Sequence, residues 1–358
     1  MDYLKRLFPE AKFEPVDERL LVEARKRLDS LTKPVGSLGR LEEIAARLYA
    51  IVGGTACLSV SPAIFYTVAA DHGVASQNVS PYPQEVTRQM VENFLEGGAA
   101  INCLTRAFGL ALRIVDAGCA GKPFPADPVL ISRRLGEGTD DFSVGPAMSV
   151  ETCEMGLKAG FEIGANAAAF GYDCVGVGEM GIANTTAATA IYCAFLDLDP
   201  EKIAGPGTGA SPEMVKRKAR VVRKALGANA EAVASGNPLR ILAALGGFEI
   251  TEMAGIMLAC AAFRIPVIVD GFISSAAYVA ARAFFPALKD YAFISHKSAE
   301  PGHMAVTEAL GVRPFLDLGM RLGEGVGAAL LYPLLRGACV IFNEMATMDQ
   351  AGVSDRSG

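Results

Sequence analysis

One carboxylate stands out in the C-terminal part of the chain. Glu324 lies between Gly323 and Gly325 in the otherwise apolar stretch LGMRLGEGVGAALLYPLL, where a glycine turn leads into a helix predicted to begin near Val326. Flanking glycines let the backbone approach a ligand, and apolar surroundings raise the proton affinity of a carboxylate, as a general base requires. The alternative is a helix-start glutamate that the helix dipole favours. The stretch alone leaves both interpretations open.

A second glycine turn follows a predicted strand in YDCVGVGEMGIANTTAATAIYCA. Gly176, Gly178 and Gly181 have the GxGxxG spacing of a dinucleotide site. The acidic residues further along the chain, Asp197 and Asp199, directly follow the next helix and do not close a second strand, which counts against such a site.

The same turn suits a monophosphate better than a pyrophosphate. Asn184 is predicted to cap the following helix, and Thr185 and Thr186 stand in its first turn. Backbone N–H groups, both hydroxyls and the helix dipole would then point at an anion.

Another glycine cluster, AGPGTG, precedes a helix with Ser211 as its predicted N-cap and Pro212 in its first turn. The basic residues that follow within two turns are Lys216, Arg217, Lys218 and Arg220. One of them could reach a phosphate held by the glycines, but a solvent-exposed basic helix face would give the same pattern of residues. Two glycine-rich anion sites in one cleft favour a phosphorylated sugar as the ligand.

The histidines are His72, His296 and His303. His296, Glu300 and His303 could supply three metal ligands, but their order is HxxxExxH and a Pro-Gly pair interrupts any helix that would align them. We therefore predict no metal site and expect loop-shaping hydrogen bonds and contacts to substrate. The sequence has no GxSxG motif, which argues against a simple serine hydrolase.

The segment VSPYPQEVTRQMVENFLEGGAAIN, residues 79–102, predicts a proline-rich loop and two helices separated by paired glycines. Ser80, Tyr82 and Gln89 could line a flat pocket for an aromatic ligand. Alternatively, a capped helix that contributes its own core residues, such as Val86, would give most of this residue pattern.

The candidate site residues must be positioned by strands and helices, and short apolar runs that end in glycine or polar residues predict the strands. We predict strands at 63–70, 111–116, 173–177, 267–270 and 291–295. Because the runs are apolar on both faces and alternate with helical patterns, they indicate a parallel sheet built from βαβ units. Polar residues follow these runs at Asp71-His72, Asp116, Gly178-Glu179, Asp270 and Ser295-His296. Since ligands bind at the carboxyl ends of parallel strands, these residues predict a single functional cleft.

Helical periodicity dominates the N-terminal part of the chain. Apolar residues recur at intervals of three and four over 17–51, interrupted by LTKPVGS, which predicts an antiparallel helix pair. Its apolar stripe should dock on a C-terminal helix at about 327–335. Residues 122–148 lack periodicity and predict a long loop, either a lid over the cleft or a surface loop.

Composition limits the class of protein. With 358 residues and 51% hydrophobic content the chain can bury one large core and a smaller one. A net charge of −6 without a long basic run argues against a nucleic-acid partner.

The eight cysteines form no CxxC pair, which indicates free thiols in a reducing compartment. The N-terminus has no apolar leader and we find no membrane-spanning run, so we expect a soluble, cytoplasmic protein without a membrane partner.

Ordered motifs give the most specific indication. LTKPVGSLGRLE, ADHGV, YPQEVTRQMV with GGAAIN, GEMGIANTT, GPGTG, DGFISSAA, SHKSAEPGH and RLGEGVGAAL occur in this order. Together they closely resemble the nicotinate-nucleotide:dimethylbenzimidazole phosphoribosyltransferase family of cobalamin lower-ligand assembly. The resemblance covers about 31–353, and eight ordered motifs are far more specific than any single glycine pattern.

This resemblance implies a reaction and a fold. The reaction is transfer of 5-phosphoribose from nicotinate mononucleotide to 5,6-dimethylbenzimidazole or a related base, with no cofactor and no metal. The implied fold is α/β, a parallel sheet flanked by helices in a Rossmann-like large catalytic domain at 61–335. A small helical domain at 1–60, completed by about 336–358, accompanies it, and the family forms homodimers.

The resemblance also carries residue roles. The family's catalytic base, the glutamate of RLGEG, matches Glu324. The residues expected to bind the phosphoribosyl and nicotinate groups are Glu179, Gly181, Asn184, Thr185, Gly207, Thr208, Lys218 and Ser295. The residues expected around the acceptor base are Ser80, Tyr82, Gln89 and Leu322.

Two positions depart from the family's pattern, Ala183 where glycine is expected and Pro206 where arginine or another residue is commoner. We expect Ala183 to require only a negative φ. Two alternative functions remain open: a dinucleotide-dependent oxidoreductase that uses GVGEMG, and a non-catalytic carrier of nucleotides or benzimidazoles.

Overall fold

The structure of the protein is a computed structural model that describes residues 2–55 and 57–354. Residues 355–358, assigned above to the small helical domain, lie outside the described residues.

A six-stranded parallel sheet forms the centre of the described chain. Its strands are β1 Ala63–Ala70, β2 Ala111–Gly118, β3 Leu130–Ser132, β4 Cys174–Met180, β5 Val267–Val269 and β6 Ala292–Ile294. They lie in the order β3-β2-β1-β4-β5-β6, and all neighbouring pairs are parallel. The chain extends the sheet in one direction from β1 and in the other from β4, so the topological switch point lies between these two strands.

Helices cover the sheet and build the N-terminal region. They are α1 Asp2–Leu7, α2 Glu18–Asp29, α3 Arg40–Ile51, α4 Glu85–Glu96, α5 Ala100–Phe108, α6 Val150–Ala169, α7 Asn184–Leu196, α8 Pro200–Ile203, α9 Pro212–Ala228, α10 Ala230–Ala234, α11 Pro238–Leu245, α12 Phe248–Ala262, α13 Phe272–Phe284, α14 Gly302–Leu310, α15 Val326–Glu344 and α16 Met348–Ala351. Short 3₁₀ helices lie at Gly73–Gln77 and Pro286–Asp290. The predicted α/β class with a parallel sheet is confirmed.

The five predicted strands are all present, with ends displaced by up to three residues. The third strand, β3, was missed because it is only three residues long and pairs at the sheet edge without being buried. It lies within 122–148, which is otherwise irregular as predicted. Backbone N–H groups of Ala147 and Met148 donate to the carbonyls of Ala244 and Ala243, at 2.9 and 3.0 Å, and so attach the end of this segment to α11.

The N-terminal helices pack as the periodicity predicts. Helices α2 and α3 contact each other, and α15 packs against α3. An isolated bridge between Leu31 and Thr347 brings the two ends of the chain together. Buried side chains of these helices and of the sheet belong to one continuous hydrophobic cluster, and the division of the chain near residue 60 stays a prediction.

Helix α15 is long and apolar enough to cross a membrane by length and composition alone. It is also a core helix, because it contacts α3, α5, β4 and β5 and buries Leu331, Tyr332 and Leu335. An apolar helix with this packing is accounted for by the interior of the protein.

Candidate functional site

A cleft opens at the carboxyl ends of β4, β5 and β6, beside the topological switch point. Seven of the predicted site residues line it: Glu179, Gly181, Asn184, Thr185, Gly207, Thr208 and Leu322. Further lining residues that we did not predict as site residues include Gly271, Phe272, Ile273, Ser298, Glu300, Arg321 and Gly323. The two glycine turns therefore converge on one cleft, as the sequence predicts.

The backbone at Glu324 is strained. Glu324 has a φ of 63°, and Gly323 and Gly325 on either side have φ values of 90° and 97°. A left-handed conformation costs a non-glycine residue about 1–2 kcal/mol, and such strain is concentrated at functional sites. The Glu324 N–H donates to the Glu179 carbonyl at 3.1 Å, which fixes the turn on the end of β4.

The Glu324 side chain reaches the N-terminus of α5. It is 5% exposed, and Oε2 accepts a hydrogen bond from the Ile101 N–H at 3.3 Å, at the N-terminus of α5. Burial raises the pKa of the Glu324 carboxyl above its usual value, the Ile101 N–H opposes the rise, and the charge of Asp270 adds to it. Glu324 is thus a buried carboxylate with raised proton affinity directly behind the cleft-lining Gly323.

Asp270, which directly follows β5, holds the start of α15. Its carboxylate accepts hydrogen bonds from the N–H groups of Gly325, Gly327 and Ala328 at 3.0, 2.8 and 3.2 Å. These donors have no partner within the helix, so Asp270 caps α15 from a distant strand. A further close contact is at Gly178 in β4, where a Cβ atom would lie 2.1 Å from the Gly325 nitrogen.

Glu179, the next-to-last residue of β4, lines the cleft. Burial raises the pKa of its carboxyl to about 8, and a hydrogen bond from the Asn184 side chain acts against that rise. At neutral pH this carboxyl is therefore mostly protonated.

Two expectations about the start of α7 are wrong. Asn184 is not the N-cap, since its side chain donates to Glu179 instead. Ala183 occupies the cap position with a φ of 74°, and not the expected negative φ. The turn thus holds Ala183 in the left-handed conformation, which glycine adopts without strain and alanine does not.

Lys218 holds the glycine turn that precedes α9, residues 205–209. This residue of α9 is 1% exposed, and its Nζ donates to Thr185 Oγ1 at 2.8 Å and to the Gly205 carbonyl at 2.9 Å. Burial lowers the pKa of Lys218 to about 8, while the nearby Glu300 opposes the shift. As predicted, Ser211 caps α9, accepting a hydrogen bond from the Met214 N–H at 3.3 Å.

Arg321 is a second cation at this turn that was not predicted from the sequence. Its Nη1 donates to the Gly207 carbonyl at 2.6 Å, and its side chain lines the cleft. The sequence feature that could have identified Arg321 as a site residue is its position in RLGEG, three residues before Glu324. The turn, Lys218 and Arg321 together can bind a phosphate group through backbone N–H donors and two positive charges.

Besides Glu324 and Lys218, which lie behind the cleft, four of the predicted residues do not line it. Ser295 is buried, with its Oγ 3.0 Å from His296 Nδ1. Ser80 is half-buried and accepts a hydrogen bond from the Tyr82 N–H, and Tyr82 is 50% exposed. Gln89 lies on the exposed face of α4.

Helical geometry explains the position of Gln89. Thr87, two residues earlier in α4, is buried, and its Oγ1 accepts a hydrogen bond from the Ile182 N–H at 3.0 Å. Residues two apart on a helix point in nearly opposite directions, so Thr87 faces the glycine turn and Gln89 faces outward.

His72 and His303 make buried hydrogen bonds, and that of His303 shapes its own loop as expected. His72 Nε2 pairs with Glu249 Oε1 at 2.7 Å in the buried interior, and His303 Nδ1 accepts from the Ser298 N–H at 2.8 Å. Burial lowers the pKa of His303 to about 3, so its ring is neutral. Over residues 2–55 and 57–354 we find no group of three His, Cys, Asp or Glu side chains placed to hold a metal ion.

The chain is similar to known phosphoribosyltransferases in sequence and in fold. Residues 13–353 match the DBI_PRT family, described as phosphoribosyltransferase. A nicotinate-nucleotide–dimethylbenzimidazole phosphoribosyltransferase of Nitratidesulfovibrio vulgaris (strain DP4) is 54% identical over 341 residues, covering 95% of this chain and 96% of the relative. One of Pelodictyon phaeoclathratiforme is 49% identical over 347 residues, covering 97% of each chain.

A solved structure agrees in fold as well as in sequence. The crystal structure of the same-named enzyme from Thermus thermophilus superposes with a TM-score of 0.89 at 44% identity, covering 95% of this chain and all of that chain. The family match covers nearly the whole chain and includes every residue of the cleft. The chain therefore belongs to the DBI_PRT family of phosphoribosyltransferases and is a pentosyltransferase.

Proposed function

We propose that this enzyme transfers 5-phosphoribose from nicotinate mononucleotide to 5,6-dimethylbenzimidazole or a related base, giving α-ribazole 5′-phosphate and nicotinate for cobalamin assembly. The observation that carries the proposal is the 54% identity, over 95% of the chain, to a relative named for these two substrates. The names of the relatives support this function over the oxidoreductase and carrier alternatives.

The transfer reaction needs a general base for the incoming benzimidazole but no general acid for the departing nicotinate. The bond between C1′ and the pyridinium nitrogen breaks, and nicotinate leaves with a neutral ring that needs no proton. The new bond joins C1′ to one nitrogen of the benzimidazole, which becomes cationic unless its other nitrogen loses a proton. A carboxylate that accepts this proton contributes about 10²–10⁴-fold in rate.

We assign the base to Glu324. Its burial and raised pKa suit proton transfer from a weakly acidic N–H. The hydrogen bonds from Gly325 to Asp270 and from Glu324 to Glu179 restrict its position before substrate arrives, so little reorganisation is needed.

We assign the phosphoribosyl group to the two glycine turns. Gly207, Thr208 and Thr185 offer backbone and hydroxyl donors, and Lys218 supplies a positive charge beneath them. Protonated Glu179, with Asn184 and Gly181, faces the same cleft and can donate a hydrogen bond to the donor nucleotide. Ser295 would act through His296, to which it is hydrogen-bonded.

The acceptor pocket is assigned to Leu322, which lines the cleft although it is 59% exposed, and to the loop that carries Ser80 and Tyr82. We further propose that the enzyme works in the cytoplasm as a homodimer. Exposed apolar side chains in the loop before α3 and at the cleft, Val35 and Leu322, support the dimer, because a second subunit would remove them from water.

The test is release of free nicotinate when both substrates are mixed with the enzyme. Glu324→Gln should bind nicotinate mononucleotide normally by calorimetry and lose about 10²–10⁴-fold in turnover. Glu344→Gln, at the exposed far end of α15, is the matched control and should retain full turnover.

Three other results would contradict the assigned base or favour one of the alternative functions. Near-normal turnover of Glu324→Gln would remove the assigned role of Glu324. Thermal stabilisation by NAD(H) without stabilisation by nicotinate mononucleotide would favour the oxidoreductase. Binding of both substrates without nicotinate release by the wild-type enzyme would favour the carrier.

A further inference from the structure

Glu300 is a cleft residue whose carboxylate lacks hydrogen-bond partners. It is 3% exposed and lines the cleft, yet neither Oε1 nor Oε2 accepts a hydrogen bond from any residue in 2–55 or 57–354. It lies against the glycine turn that precedes α9, since a Cβ atom on Gly205 would be 2.0 Å from Glu300 Oε2. Buried polar groups without partners are rare in folded proteins and call for a specific explanation.

The neighbouring donors do not satisfy this carboxylate. Lys218 Nζ donates to Thr185 and Gly205, and Arg321 donates to Gly207. Burial raises the pKa of Glu300, and Lys218, the Gly207 N–H and Arg321 oppose that rise by proximity, without making a hydrogen bond of normal geometry to it. About four acceptor positions on the two oxygens are thus left for donors that enter the cleft with a ligand.

The chemistry of the substrate limits what these donors are. A phosphate group offers no donor in its ionised form, and a carboxylate repels it, so the phosphate must lie on the Lys218 and Gly207 side of Glu300. The hydroxyl groups of the attached ribose are donors, and the 3′-hydroxyl is the one nearest the 5′-phosphate.

We propose that Glu300 accepts hydrogen bonds from the ribose hydroxyl groups of the phosphoribosyl donor and thereby selects ribonucleotides over deoxyribonucleotides. The inference rests on the phosphoribosyl transfer proposed above and adds the sugar specificity of that site. Glu300 binds substrate and takes no part in bond making or proton transfer. Sites that hydrogen-bond a substrate hydroxyl reject analogues without it, because the buried acceptor is then left unpaired.

The experiment compares kcat/KM for nicotinate mononucleotide with kcat/KM for its 2′-deoxy and 3′-deoxy analogues. The wild-type enzyme should prefer the ribonucleotide over at least one analogue by about 10- to 100-fold, as expected for hydrogen bonds to a charged acceptor. Glu300→Met, similar in size but without acceptors, should lower this ratio about tenfold or more by losing activity only on the ribonucleotide. Glu300→Gln, which keeps one acceptor oxygen, should give an intermediate ratio.

Glu308→Gln, at an exposed position of α14, is the matched control and should leave the ratio unchanged. An unchanged ratio in both Glu300→Met and Glu300→Gln would overturn the inference, as would a wild-type enzyme that does not discriminate. If Glu300 only orients Lys218, activity on all three donors falls equally, which also overturns it. Failure of the wild-type enzyme to release nicotinate would instead count against the proposed transfer reaction.

Discussion

The Asp270 carboxylate accepts a hydrogen bond from the Gly325 N–H at 3.0 Å, one residue after Glu324. The end of β5 thus holds the turn that carries the proposed base, and the same carboxylate also binds Gly327 and Ala328. Burial raises the pKa of the Asp270 carboxyl, whereas His296, whose Nδ1 lies 3.7 Å from Asp270 Oδ1, and the three N–H donors oppose that rise. One group therefore both positions Glu324 and raises the pKa of its carboxyl.

Replacing the Asp270 carboxylate should affect both the pKa of Glu324 and the position of its turn, and the two effects appear in different measurements. Asp270→Asn removes the negative charge, so the pKa of Glu324 should fall. Because the base works only when ionised, the acid limb of the kcat/KM profile should move to lower pH, by roughly one unit or less. Turnover should fall as well, since an amide oxygen caps α15 less strongly. Asp317→Asn, an exposed control, should leave the profile in place, and an unmoved acid limb in Asp270→Asn would contradict the electrostatic role.

Lys218 should make substrate binding depend on pH. Burial lowers its pKa to about 8, so the free enzyme loses this charge as pH rises through that value. The KM for nicotinate mononucleotide should rise about tenfold between pH 7 and pH 9. In Lys218→Met we expect a KM about 10- to 100-fold higher at pH 7, without the further rise.

The control for Lys218 is on the same helix. Lys216 is exposed on α9, so Lys216→Met should keep both the KM and its pH dependence. A KM that is equally sensitive to pH in Lys218→Met would assign the effect to another group.

Glu179 should make folding stability fall as pH rises. The pKa of this carboxyl is about 8 when folded and 4.5 as an ordinary side chain, so between these values only the folded state holds the proton. The contribution of Glu179 to the free energy of unfolding is therefore greatest below pH 4.5 and is lost progressively up to about pH 8. Glu179→Gln should remove a slope of the order of 2–5 kcal/mol over this interval, measured by urea unfolding at pH 5 and pH 8. Exposed Glu213→Gln should keep the wild-type slope, and an identical slope in Glu179→Gln would show that Glu179 ionises normally.

The local pattern predicts most of the fold and part of the site. Strands such as β1 are buried along their whole length, which produces the continuous apolar runs read from the sequence. The glycine turns follow β4 and precede α9, so both were visible as breaks between elements. Short edge strands such as β3 lack the burial that creates such a pattern.

What the sequence could not provide depends on distant contacts. Asp270 and Gly325 are 55 residues apart, and Glu300 lies beside Lys218 although 82 positions separate them. The left-handed Ala183 is also invisible locally, because alanine ordinarily avoids this conformation. Likewise, the choice between Thr87 and Gln89 depends on which face of α4 the glycine turn approaches.

Gly178 offers the sharpest test of the contact between β4 and the turn that carries Glu324. A Cβ atom at this position would lie 2.1 Å from the Gly325 nitrogen and 2.4 Å from the Glu324 carbonyl carbon, so the backbone itself must move. Gly178→Ala should cost about 1–3 kcal/mol of stability and, by displacing Glu324, about 10²-fold in turnover. Chemical unfolding and steady-state kinetics measure the two effects. Gly227→Ala in α9 meets nothing within 4 Å and should be neutral or stabilising by up to about 1 kcal/mol. Equal behaviour of the two variants would mean that the turn does not rest on β4 as described.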